Sequence, residues 1–409
     1  MPPSSILLPL SLSLCFLLPA LAEPLHFDLA RRAPAGVHDL NYYAAAAEHL
    51  RGKYGLAKSV AIKGRAAADI NMVNQVPQPF SVILDTGSSD LWVADSSCTT
   101  CTRATPVFNA ASSSSLQLSQ FGTNIKYGSG EVAGQIGQDV VSMGGFTVQN
   151  QTFLAVDTLT DGLLDGRVSG ILGLAFSTIA STRSIPFWQT LAASGQLTTP
   201  EMGFWMTRVR GDPTAREEEY GGVFTLGGTN TSLYDGDIEF LDMPGRTPTF
   251  WLLNLKSITV QGNNVPVTQA SALSAIDTGT TLIGGPTKDV QAIYAAIPGS
   301  QPVTSMRGFY SFPCTTKPAL SLSFGGQSWP INPTDMNLGR LATGSSQCVG
   351  GIFDLSLGSN IVSGGGNPNW VVGATFLKNV YSVYRASPPQ VGFARLSSAA
   401  GGSEGLTAP

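Results

Sequence analysis

Histidine is nearly absent from this chain. There are three, His26, His38 and His49, and all lie before residue 50. Beyond that point no Ser–His or Cys–His nucleophile and no histidine-ligated metal can be assembled, so any chemistry there must run on carboxylates. Charge is scarce as well: Asp, Glu, Lys and Arg make up 12% of the residues, about half the usual share. No long basic run occurs, which argues against a nucleic-acid partner. Cysteine is limited to five, of which Cys15 sits near the start and Cys98, Cys101, Cys314 and Cys348 remain. Cys98-Thr99-Thr100-Cys101 has redox or zinc spacing, but no histidine and no second such pair accompanies it, so a small structural bridge is the preferred reading. No metal and no cofactor are expected.

What is abundant is glycine, with 46 residues, together with serine and threonine. Short strands punctuated by these residues read as an all-β body with a surface of small polar groups. Such a surface tolerates acid, because few of its charges change with pH. At 409 residues one core is too few, and two lobes plus processed segments is the natural expectation. Residues 5–22 are mostly apolar and end in Ala20-Leu21-Ala22, a small-x-small cleavage pattern. Residues 1–22 are therefore expected to be a secretory signal and the product to be extracellular. The run is short and interrupted by Pro9 and Pro19, which argues against a membrane anchor. Residues 23–65 carry seven basic and four acidic side chains, whereas everything from residue 66 onward carries 16 basic and 23 acidic. A basic leader with an Ala-rich helical stretch at 42–53, ahead of an acidic body, points to an electrostatic latch. Residues 397–409 are rich in Gly, Ser and Ala with no hydrophobic tail; a disordered end without a lipid anchor is expected.

Two stretches organise the rest: Phe80 to Val93, which contains Asp85-Thr86-Gly87-Ser88-Ser89, and Ala275 to Gly285, which contains Asp277-Thr278-Gly279-Thr280-Thr281. In each, an apolar run that reads as a buried strand delivers an aspartate into a loop of small residues. One Asp-Thr-Gly alone signals only a turn; two copies 192 positions apart in the same local setting signal an internal duplication. Burying one carboxylate is costly, and two brought together must share a proton because two adjacent negative charges cannot both persist. Such a pair can activate water without metal or covalent intermediate: one carboxylate takes the water's proton while the other, protonated, polarises a carbonyl.

These stretches, with Leu91-Trp92-Val93, Tyr127-Gly128-Ser129-Gly130, Gly170-Ile171-Leu172-Gly173-Leu174 and Trp370-Val371-Val372-Gly373, resemble the pepsin family of aspartic endopeptidases, and within it the secreted fungal members, over most of residues 77–396. The resemblance implies a bilobal all-β fold, two pseudo-twofold-related lobes with the active site between them. It implies a prosegment at 23–65, an N-terminal lobe at 66–230 and a C-terminal lobe at 231–396. Asp85 and Asp277 would be catalytic, supported by Thr86, Ser88, Trp92 and Thr278. Gly87, Gly279, Thr280 and the flap residues Tyr127, Gly128 and Ser129 would bind substrate, with Trp92 as hydrogen-bonding partner of Tyr127. Lys53-Tyr54 is similar to the pair that covers the aspartates in the zymogen. Cys98–Cys101 and Cys314–Cys348, one bridge in each half, match the family pattern. The implied partners are protein or peptide substrates, with no membrane and no nucleic acid, and a monomeric chain. Ser129, where some fungal relatives carry an aspartate that accepts lysine, implies a preference for large apolar side chains on both sides of the cut.

Two departures stand out. Relatives carry a strand ending in Gly-Thr-Pro before Pro77-Gln78-Pro79-Phe80, whereas this chain has Ile70 to Val76 in its place. Either a strand is missing near Gln75 or it has drifted in sequence. A missing strand would leave a sheet edge unpaired, and the competing reading is a catalytically impaired binding protein or an inactive variant on the same fold. Such proteins usually lose one Asp-Thr-Gly or the flap tyrosine, and this chain keeps both. Ala374 stands where an aspartate is common, and the loss of a nearby carboxylate should move the pair's titration downward. Asn150-Gln151-Thr152 and Asn230-Thr231-Ser232 are glycosylation acceptors. Arg208, Arg210 and Arg216 with Glu217-Glu218-Glu219 read as a solvated charged loop.

Overall fold

The computed structural model describes residues 24–32, 40–53, 66–72, 77–127, 130–161, 163–164, 167–208, 218–357 and 367–402. The expected signal at 1–22, Tyr54, Gln75, Gly128, Ser129, Arg210, Arg216, Glu217 and the last seven residues lie outside these. Strands predominate among the described residues. The first half contains β1 (Leu25–Arg32), α1 (Leu40–Lys53), β2 (Ala66–Met72), β3 (Gln78–Asp85), β4 (Leu91–Ala94), β5 (Gln117–Tyr127), β6 (Gly130–Met143), β7 (Phe146–Leu159), β8 (Val168–Gly173), α2 (Phe187–Ser194), β9 (Glu201–Met206), β10 (Glu218–Leu226) and β11 (Tyr234–Asp242).

A 13-stranded sheet runs from β11 through Pro389–Leu396, Tyr381–Ala386, β9, β10, β1, β2, β3, β8, β4, β7 and β6 to β5, so strands from both ends of the chain share it. A five-stranded sheet made of Leu252–Asn254, Leu273–Ile276, Trp370–Val372, Ile283–Gly285 and Ile352–Asp354 forms the core of the second half, flanked by two four-stranded sheets. β4 and β8 are buried at every position, so neither shows the alternation of a strand with one wet face.

The edge of β3 is paired. Ala66–Met72 lies antiparallel to it, from Ala67 opposite Ile83 to Met72 opposite Gln78. Its side chains alternate: Ala68, Ile70 and Met72 are buried, while Asp69 is exposed and accepts a hydrogen bond from Ser81 Oγ. The drifted strand is therefore present, drawn from residues ahead of the disrupted motif, and the premise of an unpaired edge falls. β1 pairs with β10 along its length and touches β2 through Ala30 and Arg31.

Two further expectations need correction. Residues 397–402, expected in a disordered tail, form a turn that packs on the sheet: Ala400 is buried and its carbonyl accepts from Trp205 Nε1 at 3.2 Å. Arg208 is not a solvated charge. Its Nε donates to the buried Asp335 at 2.7 Å and Nη2 to Asn379 Oδ1, joining the end of β9 to the second half. Glu218 and Glu219 belong to β10, in register with Arg32 and Arg31 of β1.

Candidate active site

The two Asp-Thr-Gly loops have the same construction. β3 ends on Asp85, and the strand Leu273–Ile276 ends one residue before Asp277. A parallel strand runs beside each: β8 puts Gly173 opposite Asp85, and Trp370–Val372 puts Val372 opposite Ile276. Each supporting strand runs out at a glycine where the loop crosses it. A Cβ on Gly173 would lie 2.6 Å from Ser89 Cα, and one on Gly373 would lie 2.6 Å from the Leu282 carbonyl oxygen, so no other residue fits without moving the loop. Backbone bonds then pin the loops: Leu174 N donates to the Asp85 carbonyl at 2.8 Å and Ala374 N to the Thr280 carbonyl at 2.7 Å.

Asp85 and Asp277 have no exposed surface. Their carboxylates are held identically. Gly87 N–H donates to Asp85 Oδ1 at 2.9 Å and Ser88 Oγ to Asp85 Oδ2 at 2.6 Å. Gly279 N–H donates to Asp277 Oδ1 at 2.9 Å and Thr280 Oγ1 to Asp277 Oδ2 at 2.6 Å. The threonines cross-brace the loops. Thr86 Oγ1 donates to the Ile276 carbonyl at 2.9 Å while accepting from Thr278 N at 2.9 Å; Thr278 Oγ1 donates to the Leu84 carbonyl at 2.8 Å while accepting from Thr86 N at 3.1 Å. Four buried bonds thus lock one half of the chain to the other at the point where the aspartates sit. Gly279 is bare because the Asp85 carboxyl occupies the space: a Cβ there would lie 2.6 Å from Asp85 Cγ.

Tyr127 ends β5 opposite Gly130 of β6, at the tip of a long hairpin. Its ring is buried, 6.3 Å from that of Trp92, and Trp92 Nε1 donates to Tyr127 Oη at 2.7 Å. Gly128 and Ser129, at the tip itself, lie outside the described residues. Two disulfides are formed, Cys98–Cys101 after β4 and Cys314–Cys348 in the second half. Asn150 is exposed with φ of 53°; Asn230 is half-buried, its Oδ1 accepting from Ser232 N and Oγ.

The leader packs on the second half. Tyr43, Ala47 and Leu50 recur at helical spacing along α1, and they join a cluster with Ala275, Leu282, Val371, Phe353 and Leu355, the strands that carry the Asp277 loop. Arg51 follows them into the interior, 3% exposed, donating through Nη2 to the carbonyls of Arg307 and Asp354 at 3.0 and 2.8 Å. Its guanidinium lies 5.4 Å from the Phe353 ring and pairs with Glu48. Burial lowers the Arg51 pKa, with Glu48 pulling it back up. The Asp354 carboxyl nearby is raised, by burial above all, against the hydrogen bond from Thr287. The Lys53 side chain lies outside the described residues, like Tyr54, so the helix contact that is seen runs through Arg51, which the sequence did not single out.

Trp251 was missed too. Its Nε1 donates to the Leu174 carbonyl at 2.8 Å and its carbonyl accepts from Ile276 N at 2.9 Å, tying the backs of the two aspartate loops together. Phe176 and Trp188 stack against it at 4.5 and 5.3 Å. The cue in sequence was a tryptophan ahead of the second Asp-Thr-Gly, whose N–H must find a partner once buried.

A two-lobed β fold whose halves meet at duplicated, cross-braced Asp-Thr-Gly loops defines the aspartic peptidase class, which hydrolyses peptide bonds. The chain belongs to the eukaryotic aspartyl protease family, whose model matches residues 70–396. It is 44% identical over 329 residues to major aspartyl peptidase 1 of Cryptococcus neoformans var. grubii, a match covering 78% of this chain and 66% of that protein, just under two thirds of its length. It is 35% identical over 325 residues to an aspartic protease of Phaffia rhodozyma, covering 78% and 74% respectively. Chicken cathepsin D is 30% identical over 326 residues, covering 78% of each. Among the described residues, no helix is long and apolar enough to cross a membrane.

Proposed function

We propose that this chain is a secreted acid endopeptidase that cleaves peptide bonds between apolar residues through a water activated by Asp85 and Asp277. The observation that carries the reading is the matched pair of carboxylates, each held by one glycine N–H and one hydroxyl and braced against the other by the threonines. The two donors on each carboxylate fix its rotamer and leave the pair matched across the brace. With one proton shared, one aspartate removes the proton of the attacking water while the other donates to the carbonyl oxygen. The tetrahedral diol then collapses as the amine leaves protonated. Rate requires the singly protonated pair, so the pH profile is bell-shaped and acidic.

Tyr127 with Gly128 and Ser129 closes over the peptide and excludes water, held in its folded-down position by Trp92. Gly87, Gly279 and Thr280 line the floor on which the substrate backbone lies. Residues 1–22 direct export and 23–65 form the prosegment, with Lys53 and Tyr54 as its mask over the aspartates. The two lobes divide near residue 230, Asn150 and Asn230 carry glycans, and the enzyme works as an extracellular monomer on protein and peptide substrates. Casein or haemoglobin digestion at low pH, with and without a transition-state-mimicking statine inhibitor, tests the reading. Statine-sensitive cleavage is expected after apolar residues; no cleavage, or a cut pattern dominated by Lys or Arg, would overturn it.

A further inference from the structure

The guanidinium of Arg51 sits in a site built by the body of the protein. Its Nη2 donates to the Arg307 carbonyl at 3.0 Å and to the Asp354 carbonyl at 2.8 Å, and its charge lies 5.4 Å from the Phe353 ring. Phe353 is itself stacked on Phe309, with ring centres 5.5 Å apart. Gly308 keeps the turn clear: a Cβ there would lie 2.4 Å from Arg51 Nη2 and 2.9 Å from the Asp354 carbonyl oxygen. The Gly308 carbonyl accepts from Asp354 N at 2.8 Å, so the turn and the strand Ile352–Asp354 are fastened to each other without help from the leader. The Asp354 carboxyl, held by Thr287 Oγ1 and Leu357 N at 2.9 Å each, attracts the cation, and the exposed Arg307 side chain opposes it. Two carbonyls, an aromatic face and a carboxyl together suit a planar cation.

The helix that delivers Arg51 spans the two halves. α1 lies against β5, the strand that ends at Tyr127, and against Asn337–Arg340 of the second half. A peptide bound between the halves at Asp85 and Asp277 must take the space this helix crosses. When the leader departs, two carbonyls lose their donor and the Phe353 face loses its cation. We propose that the site vacated by Arg51 is a substrate subsite that accepts an arginine side chain of the peptide, at a position outside the two residues that flank the cut. The sheet order sets that offset. Ile352–Asp354 is separated from Leu273–Ile276, which delivers Asp277, by Trp370–Val372 and Ile283–Gly285. Three strand spacings amount to roughly 14 Å, and an extended peptide advances about 3.3 Å per residue, so the arginine belongs two or more residues from the cut. Recognition through charge-assisted bonds to backbone oxygens and through the ring face favours arginine over lysine, whose ammonium is compact and strongly hydrated. The inference rests on the reading of Asp85 and Asp277 as the catalytic pair and of residues 23–65 as a leader that is removed, and it adds an arginine to the apolar substrate.

The test uses enzyme matured from the full chain, with mass spectrometry to confirm that the leader has left. Arginine, citrulline, lysine or norleucine is walked through every position of a fluorogenic apolar peptide except the two that flank the cut. At one position arginine should raise kcat/KM about tenfold over norleucine and citrulline, chiefly through KM, with lysine between them. Gly308→Ala fills the site and Phe353→Leu removes the ring; each should bring the ratio of arginine to norleucine to within about twofold, with thermal melts to check folding. The absence of any position that favours arginine over citrulline in wild type would overturn the proposal. A preference kept in full by both folded variants would do so too, because it would mark a general attraction to the acidic body. If neither variant folds, the wild-type series decides: arginine ahead of both citrulline and lysine supports the subsite, and lysine equal to arginine refutes it. Failure of the underlying readings looks different, since wild-type cleavage would then be absent or insensitive to the statine, or the leader would still be attached.

Discussion

Replacing Gly279 by alanine puts a methyl carbon 2.6 Å from Asp85 Cγ and 3.2 Å from its Cβ. Ordinary carbon contacts begin near about 3.5 Å, so roughly 1 Å must be found somewhere. Gly279 cannot retreat easily: its N–H is committed to Asp277 at 2.9 Å, and the preceding Thr278 is fixed at both its N–H and its hydroxyl. The Asp85 carboxyl is the softer partner, and its displacement would break the match between the two carboxylates. A misplacement of about 1 Å costs on the order of a hundredfold in rate. The variant should therefore lose about 10²-fold in kcat on a fluorogenic peptide at the acid optimum. Its fold should survive, because the bond network away from this contact is untouched, and circular dichroism and a thermal melt check that. A folded Gly279→Ala enzyme with wild-type kcat would refute the claim that the two loops meet carboxyl to glycine at the reacting centre.

Trp92→Phe removes the 2.7 Å bond that holds Tyr127, worth about 1 kcal/mol, and should lower kcat/KM about fivefold; an unchanged value would detach Tyr127 from the working cleft. Cys314–Cys348 closes a span of 34 residues and Cys98–Cys101 one of 3, so on chain-entropy grounds the serine double variant of the first should lose about 4 kcal/mol and that of the second less than half as much. Urea melts yielding equal losses would contradict this. Burial raises the Asp354 carboxyl above its ordinary 3.8, so the folded state binds that proton more tightly than the unfolded chain does. Its contribution to stability is complete below about pH 4 and is lost as pH rises through the raised folded value. Relative to Asp354→Asn, wild type should therefore lose stability across that window; parallel curves from urea melts at stepped pH would show that burial does not perturb the group.

What could be read from the chain was what is encoded locally. Each aspartate loop is a continuous apolar strand, a glycine and a hydroxyl, and those same residues make the strand, the turn and the carboxylate bonds. The contact of Tyr127 with Trp92, 35 residues away on another strand pair, was expected only from the family resemblance. The strand beside β3 was illegible for a physical reason: Ala66-Ala67-Ala68 has little preference for strand, and its place is set by pairing with β3 and contact with β1. Arg208 read as solvated because its neighbours in sequence are charged, yet its partner Asp335 comes from 127 residues further on. Ala400 sits in a stretch of small residues that signals disorder until Trp205 supplies a donor for it. Arg51 looked like one basic residue among seven, and only the carbonyls of Arg307 and Asp354 distinguish it. In each case the deciding partner is distant in the chain.

The most direct test of the central claim is turnover by Asp277→Asn, purified beside wild type and Asp85→Asn. The amide oxygen still accepts from Gly279 N–H and the amide nitrogen donates to Thr280 Oγ1 with that bond reversed, but the group cannot share the proton, so cleavage at acid pH should fall by about 10³-fold or more with the melting temperature little changed. Peptide cleavage retained by either variant at a rate near that of wild type would mean that another group performs the chemistry.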